Sequence, residues 1–268
     1  MNELTKRTGT AAVLLAVVVG ALALNEVGVG PAPWMLFVAV ACGVAVWEWA
    51  GLLGLGRLGQ IAYLAASALL VSALMPPALE NAVWLAFGLW IIAFLRIAGV
   101  PFPRTAETLF FGMLGWVAVP VAGLTLVAFL GPFVWAFLVV VIVADTAAYF
   151  VGHRYGKTAL ALEISPGKTR AGLVGALLAV AVVSIPIAWG LGLPLASWFY
   201  FACLALLVAC FSVVGDLSVS LLKRRADVKD SGRFLPGHGG ALDRVDGLLA
   251  AAPVYALGIQ ALQGVLLI

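Results

Sequence analysis

Three aspartates and a glycine-rich turn near the carboxyl end of the chain have the types and spacing of a cation-assisted phosphate site. Asp243 and Asp246 lie three residues apart, which places both carboxylates on one face of a helix. With Asp216 they predict a site for one or two Mg2+ ions, because Mg2+ prefers oxygen ligands and leaves part of its shell to substrate phosphates. A monovalent cation is a further candidate for this site.

The turn that precedes these aspartates has the composition of an anion-binding concavity. Pro236, Gly237, Gly239 and Gly240 flank His238, and glycine permits the positive φ angles at which successive backbone N–H groups face one anion. Residues 223–244, which include this turn, supply the positive charge that a polyanionic nucleotide needs. These cations are Lys223, Arg224, Lys229, Arg233 and Arg244. Carboxylates, cations and a glycine turn together predict phosphoryl or nucleotidyl transfer.

A polar stripe connects this turn to the apolar segment before it. Ser212, Asp216, Ser220 and Lys223 recur at spacings of four, four and three, which predicts one polar face on a helix. A carboxylate in such an apolar setting is costly unless it is paired, hydrated or metal-bound, so Asp216 is a functional candidate.

A second polar patch, residues 145–172, has the same character. Asp145 and Tyr149 lie four residues apart at the end of another apolar segment. The loop ISPGKTRAG, residues 164–172, follows and contains Ser165, Lys168 and Thr169. Between them, the run GHRYGKT is excluded as a phosphate loop, because that motif needs four residues between its glycines and a preceding strand.

These groups belong to a chain with the composition of an integral membrane protein. Its residues are 64% apolar and 10% charged, whereas soluble domains are roughly 45–50% apolar and about 25% charged. A membrane-spanning helix needs about 20 mainly apolar residues. The sequence therefore predicts an all-α, polytopic helical bundle with nine spans, near residues 9–24, 33–53, 60–76, 79–97, 107–130, 132–151, 171–191, 195–216 and 247–268.

The positive charges predict the orientation of this bundle. If nine spans alternate from a cytoplasmic amino terminus, all 15 lysines and arginines face inward, as the positive-inside rule requires. Both polar patches then face the cytoplasm, and the carboxyl terminus lies outside. The polar stretches are too short for an independent soluble core. Residues 1–268 are therefore expected to form one transmembrane domain, in which residues 145–172 and 212–247 form the active site.

Other features favour plain packing roles. Glu48, in VWEWAGL, is expected to pack at an inner helix end beside Trp47 and Trp49, in the aromatic belt of the membrane interface. The pair Gly172 and Gly175 predicts close contact between helices. The cysteines lack metal-type spacing and are expected to be small packing residues: Cys42, Cys203 and Cys210.

Residues 220–246 resemble the signature of the phosphatidate cytidylyltransferase family, also called the CDP-diacylglycerol synthases. The spacing agrees at every fixed position of this signature segment, which makes the resemblance very specific. The matching residues are Ser220, Lys223, Arg224, Lys229, Asp230, Gly232, Leu235, Pro236, His238, Gly239, Gly240, Asp243, Arg244 and Asp246. The second patch resembles another motif of the family at Asp145, Ala148, Tyr149, Gly152, Gly156, Ser165, Pro166, Lys168, Thr169 and Gly172.

The resemblance implies a reaction in which a phosphate oxygen of phosphatidate attacks the α-phosphorus of CTP, giving CDP-diacylglycerol and pyrophosphate. The implied catalytic residues are Asp216, Lys223, Arg224, Lys229, Asp230, His238, Asp243, Arg244 and Asp246, with the three aspartates Asp216, Asp243 and Asp246 as metal ligands. The cations among them would bind nucleotide and lipid phosphates, and His238 would shape the nucleotide pocket. The implied substrate-binding residues are Asp145, Tyr149, Ser165, Lys168, Thr169, Ser220, Gly239 and Gly240.

The resemblance also implies a setting. The enzyme would be a multi-pass protein of the inner (plasma) membrane, in contact with membrane lipid, with its active site facing the cytoplasm. It would form a homodimer and bind no nucleic acid. The chain departs from the family where SPGKTRAG replaces the usual SPKKTWEG, so Gly167, Arg170 and Ala171 stand for a lysine, a tryptophan and a glutamate. No role is carried over to position 171. Ala241 replaces a larger aliphatic residue.

Rival functions stay open at this stage. A cation-coupled transporter would use Asp145 and Asp216 as an ion path, although the first half shows no repeat of the signature segment. A CTP-dependent lipid kinase of the polyprenol or phytol type would transfer the γ-phosphate instead. A relative that has lost activity is a third option, suggested only by the altered SPGKTRAG loop. The DGxxAR core of the CDP-alcohol phosphotransferases does not occur.

Overall fold

Helices make up most of the computed structural model, which describes residues 3–74, 78–234 and 239–266. Each apolar run forms a helix, because in lipid only a helix can satisfy the backbone hydrogen bonds of a single spanning segment. Across these ranges the α-helices are, in order, α1 (Glu3–Glu26), α2 (Ala32–Leu52), α3 (Arg57–Ala73), α4 (Ala78–Ile97), α5 (Arg104–Ala128), α6 (Pro132–Tyr155), α7 (Arg170–Gly190), α8 (Trp198–Arg225) and α9 (Leu242–Leu266).

Seven of the described helices, α2 and α4 to α9, are long and apolar enough to cross a membrane. The apolar parts of α1 and α3 are shorter, Ala12–Glu26 and Arg57–Ala73. Every predicted span thus corresponds to a helix, and the prediction of a polytopic, all-α membrane protein is confirmed. Helix α8 continues past the predicted end of its span to Arg225, so the polar stripe lies on a helix as expected.

The connection between α6 and α7 is more ordered than the loop that the sequence suggested. Ala159–Ala161 (β1) and Ser165–Thr169 (β2) pair as a two-stranded antiparallel sheet. Thr169 then caps α7, because its hydroxyl oxygen accepts a hydrogen bond from the Gly172 N–H at 3.1 Å. Lys168 immediately precedes this cap, so the hairpin fixes its backbone relative to α7.

One continuous core of buried side chains joins α2 and α4 to α9. Helices α5, α8 and α9 are the most buried of the spans. Large aromatic side chains fill the space between helices, with Trp49, Trp90, Phe111 and Phe137 almost fully excluded from the surface. This packing holds the ends of α6, α8 and α9 together at the side of the bundle where the polar patches lie.

Glycines allow the closest approach between α6 and α7. A Cβ atom at Gly175 would lie 2.5 Å from the Cβ of Val151, and one at Gly172 would lie 2.7 Å from the carbonyl oxygen of Ala148. No larger residue fits at either position without moving a helix. The prediction that Gly172 and Gly175 mediate close helix contact is therefore confirmed.

Candidate active site

A cavity of about 450 Å3 lies at one end of the bundle, between α6, β2, α7, α8 and α9. Leu160, Leu173 and Val213 form apolar parts of its wall. Residues of both predicted polar patches line it, so the two patches form one site. The polar and charged lining residues are Asp145, Tyr149, Lys168, Thr169, Asp216, Asp243, Arg244 and Asp246.

An ion pair joins the two patches directly. The Lys168 Nζ atom, carried by β2, lies 2.5 Å from the Oδ2 atom of Asp216 on α8. The hydroxyl of Ser220, one turn further along α8, donates to the other carboxylate oxygen of Asp216 at 3.3 Å. Asp145 and Asp246 both lie within electrostatic range of Asp216 and Lys168. The result is a cluster of three carboxylates around one ammonium group.

The crossing of α8 and α9 brings Asp216 and Asp246 together. Gly215 lies directly under α9, since a Cβ atom there would collide with the main-chain carbonyl oxygen of Asp246. On the other helix, a Cβ atom at Gly247 would lie 3.3 Å from Ser212. Each aspartate thus has a glycine as its neighbour in sequence at the point of contact. The glycines let the two helices approach closely enough for both carboxylates to face the same cavity.

Asp243 has a different environment from the other aspartates. Its Oδ1 atom lies 2.6 Å from the Nζ atom of Lys223, and both side chains are about nine-tenths buried. Its Oδ2 atom accepts hydrogen bonds from the backbone N–H groups of Ser231 at 2.9 Å and Gly240 at 3.1 Å. Asp243 therefore ties the end of α8 to both sides of the glycine turn.

This arrangement bears on the predicted metal ligands. Among the described residues, no group of three or more acidic, histidine or cysteine side chains is gathered closely enough to hold a metal ion. Asp243 accepts from three protein donors and its side chain is only 11% exposed. Asp216 also has both oxygens paired, with Lys168 and Ser220, but its side chain is 34% exposed, so it can exchange these partners for a cation more readily. Asp216 and Asp246, with Asp145 beside them, offer the oxygen donors that suit Mg2+. The donor chemistry at the cavity thus fits a divalent ion through these aspartates better than through Asp243.

The remaining predicted residues do not line the cavity. Arg224 is exposed at the end of α8, with its Nε atom 3.4 Å from the carbonyl oxygen of Ile164. Lys229 and Asp230 are exposed on the loop after α8, and Ser165 is half-buried on β2. Gly239 has a φ of 81°, which confirms the positive φ expected in the turn. Pro236, Gly237 and His238 lie outside the described residues.

Tyr149 lies where the cavity meets the surface. Its ring is 67% exposed and stacks parallel to the imidazole of His153, with centroids 6.1 Å apart. Thr169 contributes to the lining, but its hydroxyl also caps α7. Substitutions at Thr169 will therefore change the helix start as well as the cavity.

Glu48 contacts the signature segment, and the prediction that it simply packs in an aromatic belt is wrong. Glu48 is only 7% exposed. Its carboxylate accepts hydrogen bonds from Ser231 and Leu242 of the signature segment, more than 180 residues further along the chain. Trp49 is fully buried and donates from Nε1 to the carbonyl oxygen of Phe111 at 2.9 Å. The signal that could have revealed Glu48 was present: a carboxylate in an apolar helix requires partners.

A second buried carboxylate that the sequence analysis did not single out is Glu107, at the start of α5. It is 4% exposed and accepts from Arg96 Nε at 2.9 Å. The Arg225 Nη2 atom, at the end of α8, lies 3.3 Å from its other oxygen. This clamp joins the ends of α4, α5 and α8 next to Lys223 and Arg224, so it fixes the end of the helix that carries the cations.

Comparison with known proteins identifies the family. The model of a family described as the cytidylyltransferase family matches residues 5–262, which is nearly the whole chain. The chain belongs to the cytidylyltransferase family. This result confirms the resemblance inferred from the signature segment, and it supports neither the transporter nor the lipid kinase.

Individual relatives agree with the family assignment. A phosphatidate cytidylyltransferase of Pseudomonas aeruginosa is 36% identical over 268 aligned positions, which cover 94% of this chain and 96% of the relative. One from Brucella suis is 42% identical over 143 positions, 50% of this chain and 47% of the relative. One from Thermotoga maritima is 40% identical over 127 positions, 46% of this chain and 47% of the relative.

Proposed function

We propose that this protein condenses CTP with phosphatidate to give CDP-diacylglycerol and pyrophosphate. Family membership and relatives named phosphatidate cytidylyltransferase support this activity. The observation that carries the proposal is the junction of the two polar patches, where Lys168 pairs with Asp216 at a cavity also lined by Asp246 and Arg244. A substrate with several phosphates can take over the cationic partners that the carboxylates now hold in place.

The chemistry needs positioning and charge neutralisation more than covalent help. A phosphate oxygen of phosphatidate bonds to the α-phosphorus of CTP while the bond from that phosphorus to the bridging oxygen breaks, and pyrophosphate leaves. A phosphate monoester has a second pKa of about 6. The attacking oxygen is therefore largely ionised at neutral pH, and no residue, His238 included, is needed as a strong general base.

The cations divide this work according to their positions. Lys168 and Arg244 line the cavity, so we assign them to the phosphates at the reacting centre. Lys223 lies behind them, paired with Asp243, and supports the same charge from the end of α8. Arg224 and Lys229 are exposed at the end of α8 and on the loop after it, and we assign them to the outer phosphates of the nucleotide.

Mg2+ remains a proposal for this site. Asp216 and Asp246 would hold it, with Asp145 as the next oxygen donor, because these three line the cavity together. Asp243 also lines the cavity, but this buried carboxylate already accepts from Lys223 and from two backbone N–H groups. A bound divalent ion would supply neutralisation of the phosphate charge that builds up during transfer. Lys168 would then act as the cation that balances the acidic cluster and orients Asp216.

The membrane setting suits a reaction between a lipid and a water-soluble nucleotide. The cavity lies at the helix ends where the lysines and arginines collect, and the positive-inside rule assigns this side to the cytoplasm. We propose an inner-membrane location on this basis, with bacterial relatives in support. The homodimer implied by the family resemblance remains a prediction.

A product assay tests the function. Detergent-purified protein is incubated with phosphatidate, Mg2+ and CTP labelled at the α-phosphate, and label is followed into the organic phase. The expected result is labelled CDP-diacylglycerol from the wild type and a loss of at least tenfold in Asp216→Asn. Glu163→Gln, an exposed acidic residue on the hairpin, serves as the matched control and should retain the wild-type rate.

The same assay separates the proposal from its rivals. CTP labelled at the γ-phosphate should leave the lipid unlabelled, because the γ-phosphate departs in pyrophosphate. Transfer of the γ-label to lipid would instead identify a kinase and overturn the proposal. No labelled lipid from either nucleotide, with folded protein and verified metal, would favour the inactive relative.

A further inference from the structure

Glu48 lies far from the signature segment in sequence but contacts this segment on both sides of the glycine turn. Its Oε2 atom accepts from the Ser231 hydroxyl at 2.8 Å and from the Leu242 N–H at 2.9 Å. Its Oε1 atom accepts from the Ala241 N–H at 3.2 Å. The 7% exposure of Glu48 means that water cannot replace these donors easily. One carboxylate therefore joins the segment before the turn to the segment after it.

Ser231 links Glu48 to Asp243. Its hydroxyl donates to Glu48, and its backbone N–H donates to Asp243 at 2.9 Å. Asp243 in turn accepts from the Gly240 N–H and pairs with Lys223. A continuous chain of hydrogen bonds thus runs from α2 in the first half of the protein to the cation at the end of α8.

Gly232, before the turn, and Gly240, in the turn, leave space for this buried carboxylate. A Cβ atom at Gly232 would collide with the Glu48 carboxylate. One at Gly240 would collide with both the Ser231 hydroxyl and Glu48. Gly232 and Gly240 are therefore required for contact with Glu48 and Ser231, in addition to any contact that Gly240 makes with substrate.

Electrostatics explains why a carboxylate is held there. Glu48 lies four residues before the end of α2, close to the end of the helix at which the dipole disfavours negative charge. Its donors Ala241 and Leu242 belong to the start of α9, where unpaired N–H groups and the positive end of the dipole favour negative charge. The N–H groups and the dipole of α9 thus stabilise the Glu48 carboxylate, which the dipole of α2 disfavours. Glu48 therefore caps the start of α9 from a helix that is distant in sequence.

We infer that Glu48 is a positioning residue for nucleotidyl transfer, acting through Ser231 to hold Asp243 and Lys223 in place. The inference rests on the proposed function. Glu48 does not line the cavity, so it is expected to affect the reaction only through the residues that it orients. Loss of its charge and of one acceptor oxygen should lower kcat more than it raises the KM for CTP.

The test compares two neighbouring substitutions on α2. Glu48→Gln keeps the shape of the side chain but lacks the second acceptor oxygen, and Trp49→Phe removes one buried hydrogen bond at the next position without touching the signature segment. We expect kcat to fall at least tenfold in Glu48→Gln and less than threefold in Trp49→Phe at similar thermal stability. Glu48→Asp, which keeps both oxygens, should recover part of the loss.

Two further readouts distinguish positioning from general damage. In a double-mutant cycle, Glu48→Gln should add little to the loss caused by Ser231→Ala, because both interrupt the same chain of hydrogen bonds. Hydrogen–deuterium exchange of residues 239–243 should be at least tenfold faster in Glu48→Gln than in Trp49→Phe. This measurement does not depend on activity.

Each outcome then decides one question. If the wild type is active and Glu48→Gln has the same kcat as Trp49→Phe, the inference is overturned and the proposed function stands. Additive losses in the double-mutant cycle would have the same meaning. A wild type that makes no CDP-diacylglycerol would overturn the proposed function. In that case unchanged exchange in Glu48→Gln would also refute a role for Glu48 in holding the turn.

Discussion

The ammonium group of Lys168 lies 2.5 Å from a carboxylate oxygen of Asp216, and this contact joins the β-hairpin to α8 at the cavity. Each residue comes from a different polar patch of the sequence. The side chains are 27% and 34% exposed, so the contact is open enough for a substrate to compete for it. The pair therefore holds the hairpin against α8 and leaves both charges accessible to a phosphate.

Removal of the Lys168 charge should separate activity from stability. We expect Lys168→Met to lower the rate of CDP-diacylglycerol formation at least tenfold, because a cation at the cavity is lost. The free energy of unfolding should change by no more than about 1 kcal/mol, as for other solvent-accessible ion pairs. Lys157→Met, an exposed lysine just before the hairpin, is the control. A Lys168→Met enzyme with a normal rate would exclude Lys168 from phosphate binding.

The pair of Lys223 and Asp243 should behave differently because it is buried. Asp243→Asn leaves the Lys223 ammonium without its counter-charge, which typically costs about 3–5 kcal/mol. Thermal unfolding in detergent should show a clear loss of stability together with a loss of activity.

Exchanging the two charges tests whether the ion pair or the backbone hydrogen bonds to Asp243 contribute more to stability and activity. The double variant Lys223→Asp, Asp243→Lys keeps both charges but places a lysine where the Ser231 and Gly240 N–H groups need an acceptor. It should be no more stable or active than Asp243→Asn. Full recovery would mean that these N–H contacts contribute little.

The helices and the aspartates could be predicted from the sequence because both depend on local information. Apolar runs of sufficient length determine the spans, and the spacing from Ser212 to Lys223 determines a polar helix face. The extension of α8 to Arg225 follows from that same spacing. Family resemblance then assigned the chemistry, which the family match confirmed.

The contacts between distant segments could not be predicted in the same way. Nothing in the spacing of the signature segment indicates that Asp243 pairs with Lys223, since either aspartate of the pair in α9 could have taken that place. The partner of Glu48 lies more than 180 residues away, beyond any helical period. The short strands β1 and β2 also lack an alternating apolar pattern, so their pairing depends on the helices that they connect.

The Glu107 clamp predicts a residue that matters for stability more than for substrate affinity. Glu107→Gln removes the charge between Arg96 and Arg225, which are about one-quarter exposed and can turn partly to water. We expect a loss of about 1–3 kcal/mol in the free energy of unfolding, the usual range for an unsatisfied buried hydrogen-bonding group. The KM for CTP should change less than twofold. A large rise in that KM would instead place Arg225 at the nucleotide.

The crossing of α8 and α9 provides a test that changes no charge. Gly215→Ala inserts a methyl group against the Asp246 carbonyl and should separate the helices at Asp216, at a cost of about 1–3 kcal/mol. Gly190→Ala, where a Cβ atom meets nothing within 4 Å, is the matched control and should have no effect on rate. Because Asp216 and Asp246 lie beside the inserted methyl group, we expect Gly215→Ala to lose at least tenfold in kcat even at temperatures where it is fully folded. Normal turnover by folded Gly215→Ala would mean that the spacing of these two carboxylates does not limit the reaction.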